Sequence, residues 1–167
     1  MADEVRTERL LLRRATMADL DAIHAVLSDP EAMRYWSTPP HENLTESETW
    51  LRSMVDADRS VSDDFIVDYQ GRAVGKVGCW RLPQVGFILA RDCWGMGIAS
   101  EALRAYLDRR RSIGAPTVIS ADVDPRNVRS LALLKRHGFV ETSRASRTWL
   151  VGGEWCDSIY LAVDLSA

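Results

Sequence analysis

The chain has 167 residues, 46% of them hydrophobic and 27% charged, which reads as one globular domain over residues 1–167 with room for a sizeable core. With 21 basic and 24 acidic residues the formal net charge is −3, which argues against a nucleic-acid module resting on bulk charge. No apolar run of ~18 residues offers a membrane span, the charged opening through Arg6 lacks a signal region, and three cysteines are too few, and odd in number, for a disulfide framework. A reducing cytoplasm fits these features.

In chain order, Leu10-Leu11-Leu12 reads as a first strand. Thr16 with Asp19 three residues later is a helix N-cap pattern. Leu20, Ile23 and Leu27 continue at helical spacing, and Pro30 falls just past the stop. Residues 35 to 44 hold two prolines and two aromatics and read as a loop. Thr45-Glu46-Ser47-Glu48 is a second capping box, opening a helix with Trp50, Leu51, Met54 and Val55 inward. Phe65 to Tyr69 and Ala73 to Trp80 flank Gln70-Gly71-Arg72, a hairpin signal. After the turn at Leu82-Pro83-Gln84 comes an apolar strand, Val85 to Ala90, then a loop containing Gly95 and Gly97, then a helix from about Ala99 to Arg111. Thr117 to Val123 is the next strand. Asp124 and Pro125 suit the N-cap and first position of a fourth helix, and Gly138 its left-handed end. Phe139 begins a strand, and Gly152-Gly153 joins Arg147 to Val151 with Glu154 to Val163 as a hairpin. The order β-α-α-β-β-β-α-β-α-β-β predicts one α/β (α+β) domain around a mixed, mostly antiparallel sheet with about four helices.

The strand–glycine loop–helix at Val85 to Leu107 carries the chemistry. Such a loop presents backbone N–H groups at a helix N-terminus, where the dipole also favours an anion. Gly95 and Gly97 lack a Cβ, so an anion can approach the backbone closely. The candidates for holding a pyrophosphate are the N–H groups of Trp94, Gly95, Met96, Gly97, Ile98 and Ala99. The loop matches neither the dinucleotide fingerprint nor the Walker pattern, and its signature disfavours a nucleotide-binding protein. It reads x-G-x-G-x-Ala, and about thirty residues later comes Asp124-Pro125-Arg126-Asn127-Val128-Arg129-Ser130-Leu131-Ala132-Leu133-Leu134-Lys135-Arg136-His137-Gly138-Phe139.

Together these motifs closely resemble the GNAT superfamily of acyl-CoA-dependent N-acetyltransferases. Trp94, where many members have Gln or Arg, and the Asn-x-x-Ser start of the second motif are similar to the Rim-type branch of ribosomal-protein N-terminal acetyltransferases. Thr7-Glu8-Arg9-Leu10-Leu11-Leu12-Arg13 and Ser28-Asp29-Pro30-Glu31-Ala32-Met33-Arg34-Tyr35-Trp36 extend the resemblance over nearly the whole chain. It implies a GNAT-like fold whose strands ending near Ala90 and Val123 splay into a wedge for the pantetheine arm. It implies acetyl-CoA as cofactor, with CoA as product, and a primary amine as acceptor, foremost a protein N-terminal α-amine attacking directly in a ternary complex. A homodimer is expected at the level of the family only. No His/Cys cluster has metal-ligand spacing, so no metal is expected, and neither is a nucleic-acid or membrane partner.

The resemblance also assigns roles. A backbone N–H among Ile88, Leu89 and Ala90 would polarise the thioester carbonyl. Independently of the resemblance, Arg91, just before the loop, and Arg129 or Arg136 could reach the phosphates, a task that suits the bidentate geometry of arginine. Many members carry a Tyr seven residues after the Asn as proton donor to the leaving thiolate. Here that position is Leu134, which has no proton to give, and Ser130 takes the place that a serine holds in the Rim-like branch. Asn127 would orient the pantetheine. Where relatives have a Glu as base, this chain has Gln84 or Ser120, leaving Asp122 and Asp157 as the carboxylates in reach. An α-amine asks less of a base, because its pKa of about 8 leaves it partly neutral at pH 7. Candidate walls of the acceptor pocket are Tyr35, Trp36, Trp80, Gln84 and Asp157, with Arg81, Trp149 and Trp155 beside them. Cys93 abuts the loop without a dedicated base and is not read as a nucleophile. Two other functions share these motifs: acetylation of a small amine, amino acid or antibiotic, and a non-catalytic acyl-CoA-binding sensor, which Leu134, Gln84 and Ser120 motivate.

Overall fold

A computed structural model of the chain describes residues 3–166. Its strands are β1 (Glu4–Arg6), β2 (Leu10–Arg13), β3 (Asp63–Tyr69), β4 (Arg72–Arg81), β5 (Gln84–Leu89), β6 (Val118–Val123), β7 (Val140–Val151) and β8 (Glu154–Asp164). Its α-helices are α1 (Leu20–Leu27), α2 (Leu44–Val55), α3 (Ile98–Ile113) and α4 (Val128–Arg136). The strands form one sheet in the order β1-β2-β3-β4-β5-β6-β8-β7. Every neighbouring pair is antiparallel except β5–β6. This is the mixed, mostly antiparallel α/β sheet that the order of elements predicts.

Side-chain alternation divides the core between the two faces of the sheet. On β3, Phe65 and Val67 join one cluster with Leu103, Tyr106 and Leu107 of α3 and Leu133 and Leu134 of α4. Ile66 points the other way, to Ile23 and Leu27 of α1 and Leu51 of α2. Helices therefore cover both faces, α1 and α2 on one and α3 and α4 on the other. Leu134 is 0% exposed. Complete burial of such a side chain is worth about 1.5–3 kcal/mol, so the position where the resemblance implies a tyrosine in other chains belongs here to the core. Charge is buried where it is paired. Asp63 meets Arg14, Arg109 and Arg110, and Asp64 meets Lys76 at 2.8 Å.

Several boundaries differ from the sequence reading. α4 starts at Val128 and is capped by Asn127, whose Oδ1 accepts the Ser130 N–H at 3.3 Å. Asp124 does not cap it, because its carboxylate accepts the Arg126 N–H and guanidinium and closes a tight turn before the helix. α2 is capped by Asn43 rather than Thr45, with Glu46 reaching back to the Glu42 N–H at 2.7 Å. Val55 faces outward, and Ser47 sits inward at 0% exposure, where its hydroxyl meets the Nδ1 atoms of His24 and His41, each at 2.7 Å. β1 is an added strand. It is charged and only three residues long, so no alternation marks it.

Candidate functional site

β5 and β6 run parallel but are paired only at Gln84 and Ser120, where the Ser120 N–H also donates to the Pro83 carbonyl. Beyond that point they part and leave a wedge in the middle of the sheet. Register decides which β5 amides face it. Ala90 donates to the Val74 carbonyl, and Ile88 lies opposite Lys76 on the same side. In an antiparallel ladder successive residues turn their polar groups to opposite sides. Phe87 and Leu89 therefore turn theirs away from β4 and into the wedge. Of the three residues expected to polarise a carbonyl, only Leu89 points there. Phe87 joins it, a residue that the sequence could not single out without the strand register. The Leu89 carbonyl on that side accepts the Trp94 indole N–H at 3.0 Å.

Above the wedge the chain makes a short 3-10 turn, Arg91–Cys93, before the glycine loop. The Cys93 and Trp94 N–H groups bond back to Ala90 and Arg91. Trp94 therefore offers no amide to an anion, contrary to expectation, and it contributes its ring instead, beneath the Arg129 guanidinium at 5.3 Å. Gly95 and Gly97 hold φ of 74° and 75°, the left-handed region that glycine enters without strain. As the N-cap of α3, Gly97 brings no side-chain acceptor, and the first hydrogen bond into the helix is from the Glu101 N–H to the Gly97 carbonyl. The amides of Ile98, Ala99 and Ser100 are thus orphans of the first turn, at the positive end of a 16-residue helix. A Cβ at Gly95 would project into open space. Unbonded amides, a helix dipole and open space fit a pyrophosphate group.

Arginines near this cradle divide by partner. Arg91 is paired with Asp29 at 3.2 Å, which draws it toward the end of α1. Arg129 lies over Trp94. Arg136 is exposed at the end of α4, beside His137, whose ring meets the Ser100 hydroxyl at 2.8 Å and ties α4 to the first turn of α3. Cys93 is buried, and burial together with Asp92 raises its thiol pKa. Burial pushes Cys79 up to about 12. Neither is primed as a nucleophile.

On the other bank, β6 alternates Ile119, Ala121 and Val123 into the core with Ser120 and Asp122 toward the face that α1 and α2 cover. Asp122 Oδ2 accepts the Trp149 indole N–H at 2.9 Å, so one carboxylate oxygen is oriented and the other is left for a ligand. Ser130 is half-buried in the first turn of α4, and its Oγ meets no hydrogen-bond partner among the described residues. Asn127 uses Oδ1 as the cap, which leaves its amide NH₂ to donate elsewhere.

The remaining candidates are held by other contacts. Asp157 accepts the Arg147 N–H at 2.9 Å and supports that residue at φ 52° in a β7 bulge. Gln84 and Trp80 lie at the closed end of the wedge, where Arg81 pairs with Gln84, about 17 Å along β5 from Leu89 at strand rise. Trp36 packs against the α1–α2 core cluster. Tyr35 lies under the Arg126 guanidinium at 5.7 Å. Arg126 also holds Asp124 at 2.8 Å and Glu154 at 2.9 Å, drawing the α1–α2 loop, the loop before α4 and the β7–β8 hairpin together. Neither spacing nor motif marks Arg126 in the sequence, because its three partners lie on three separate elements.

Among the described residues no group of three His, Cys, Asp or Glu side chains is placed to hold a metal, and no helix is long and apolar enough to cross a membrane.

A family model described as an acetyltransferase (GNAT) domain matches residues 9–140. A curated relative from Bacillus licheniformis, named as an uncharacterized N-acetyltransferase p20, is 28% identical over 142 residues, covering 80% of each chain. Among solved structures, RimL, a ribosomal alpha-N-protein acetyltransferase in complex with coenzyme A, matches with a TM-score of 0.85 at 18% identity, covering 96% of this chain and 97% of its own. A spermidine N-acetyltransferase from Vibrio cholerae, in complex with CoA and spermine, matches with a TM-score of 0.82 at 22% identity, covering 96% and 98%.

Proposed function

The chain belongs to the GNAT acetyltransferase family and is an acetyl-CoA-dependent N-acetyltransferase; on that premise we propose that its acceptor is a protein N-terminal α-amine, attacking directly in a ternary complex. The observation that carries this reading is the β7–β8 hairpin. Trp149, Leu150 and Trp155 are 43%, 57% and 48% exposed, and Trp149 is bonded to Asp122. Leu150 and Trp155, paired with each other, lie on the opposite face of the hairpin from Trp149, which alone sets an exposed apolar surface beside the one carboxylate that β6 presents to the wedge. A polypeptide that places its terminal amine at Asp122 has side chains to lay on that surface, whereas a small amine has none. A polycation is less well served. Two acids at the same mouth, Asp124 and Glu154, are already bound to Arg126.

Acetyl-CoA supplies the acetyl group as a thioester. The orphan amides of Gly97 to Ser100 and the α3 dipole hold the phosphates, with Arg136 and Arg129 nearby. Phe87 and Leu89 present N–H groups that stabilise negative charge on a carbonyl oxygen. Asn127 donates its amide to the arm. Asp122, held by Trp149, accepts a proton from the amine, and an α-amine with pKa about 8 needs only a weak base. Ser130 holds a proton on Oγ for the leaving sulfur.

The test is thiol release from acetyl-CoA with peptides of varied N-termini and, separately, with small primary amines including polyamines. Acetyl placed on the peptide α-amine, located by mass spectrometry, is the expected result. Turnover of small amines alone moves the acceptor to metabolites or drugs and overturns the peptide reading.

A further inference from the structure

The Thr7–Leu10 turn between β1 and β2 reaches across the molecule to the glycine loop. Thr7 Oγ1 donates to Glu101 Oε1 at 2.5 Å, and the Arg9 N–H donates to the same oxygen at 3.0 Å. Arg9 Nε meets Glu101 Oε2 at 2.7 Å, and its Nη1 donates to the Met96 carbonyl at 2.8 Å. The turn is braced from within, because the Leu10 N–H donates to Thr7 Oγ1 at 2.9 Å. One arginine therefore clasps the first turn of α3 and the loop ahead of it, from more than 85 residues away in the chain.

Two physical consequences follow. In a trans peptide unit the C=O and N–H point in opposite directions. Pinning the Met96 carbonyl toward Arg9 aims the Gly97 N–H the opposite way, away from Arg9. Glu101, a carboxylate in the first turn of α3, favours the helix but repels an anion bound at the same N-terminus. Arg9 cancels that repulsion. The remaining guanidinium nitrogen, Nη2, lies against Gly97, 3.5 Å from where a Cβ would stand.

We infer that Arg9 is a positioning residue for the pyrophosphate cradle: it orients the Met96–Gly97 peptide and neutralises Glu101, so that the loop meets its anion with its amides already aimed. This rests on the reading of the glycine loop as that cradle. The pair is partly exposed, at 36% for Arg9 and 20% for Glu101, and such pairs contribute little to stability. Its effect belongs in ligand affinity.

Calorimetry with CoA and with pantetheine, which lacks the pyrophosphate, tests this. Arg9→Ala is expected to raise the Kd for CoA about tenfold while leaving that for pantetheine within about twofold, the loss of a charge-assisted contact to an oriented backbone. Arg9→Lys recovers part of the affinity, since a point charge can pair Glu101 but cannot also hold the carbonyl with a planar fork. Arg9→Ala combined with Glu101→Gln binds CoA better than Arg9→Ala alone, because the uncancelled charge is gone. Unchanged CoA affinity in Arg9→Ala, or equal losses for CoA and pantetheine, overturns the inference. If the wild type itself binds CoA no better than pantetheine, the cradle reading fails and takes the inference with it. If the wild type prefers CoA and the Arg9 variants keep that preference, the inference fails alone.

Discussion

The two banks of the wedge are built by different means. On the bank of β5 and α3, groups far apart in sequence hold the glycine loop. Arg9 grips Met96 and Glu101, Arg91 grips Asp29, and His137 grips Ser100. On the bank of β6 and α4, the working side chains are set mostly by near neighbours. Asn127 caps Ser130, and the Asp124–Arg126 turn precedes them. Asp122 is reached from further off, by Trp149 on an exposed hairpin. An anion needs many amides aimed at once, and only a tertiary framework fixes a loop that firmly. A proton donor and a base need one side chain each.

That contrast says where each kind of substitution should act. The largest effect is expected on the second bank. Ser130→Ala should lower kcat about 10²- to 10⁴-fold, the range for a lost general acid, with the Kd for CoA within about twofold. Turnover at the wild-type rate would show that Oγ delivers no proton. Asp122→Asn should lower kcat/KM for the acceptor about 10²-fold, and Trp149→Phe should lower it about tenfold by freeing the carboxylate. Equal values for Trp149→Phe and wild type would detach the hairpin from the base. On the first bank, Gly97→Val forces a branched residue into the left-handed region, a strain of about 1–3 kcal/mol. It should raise the Kd for CoA at least tenfold while kcat at saturation stays within about threefold. A loss in kcat with CoA affinity intact would reverse the assignment of the two banks.

The smallest expected effect is on pH dependence. Burial lowers the pKa of His137, and Arg104 and Arg136 lower it further. Burial also lowers that of His41. For a histidine depressed in the fold, the unfolded chain binds the proton first. The stabilisation is therefore complete above an unfolded pKa of about 6.5 and is lost as pH falls through the lower folded value. Denaturant midpoints should drop between pH 7.5 and pH 5, and His137→Gln should flatten part of that slope. A flat profile for the wild type would show that neither ring is held neutral.

Much of this was legible in the sequence, and the limits have physical causes. The glycine loop, the helix after it and the Asn127–Ser130 spacing are local patterns, and they fold where the pattern puts them. Helix starts were less legible because several residues compete for one cap. Asp124 and Pro125 make a good start, but the Asp124 carboxylate is taken by Arg126 and Asn127 is left to do the capping. Val55 fits a helical stripe, yet the buried place goes to Ser47, since two histidines meet its hydroxyl. Which amides face the wedge follows from the pairing of β5 with β4, a long-range fact. Trp80 and Gln84 read as pocket walls because both are near the wedge strand in sequence, but strand direction carries them to its closed end. Arg9 and Arg126 bridge elements that only the fold brings together.

The single Gln84–Ser120 ladder pairing between β5 and β6 gives the sheet two edges in its own middle. Edges are normally the rim of a sheet, where unpaired amides meet water. Here the amides of Phe87 and Leu89 belong to a central strand flanked by core, yet they should exchange their hydrogens with solvent as readily as those of a surface loop. Amides on the same strand that point to β4, at Ile88 and Ala90, should resist. Alternate residues of one strand would then differ in protection, and CoA should erase the difference by completing the ladder that the protein leaves unfinished.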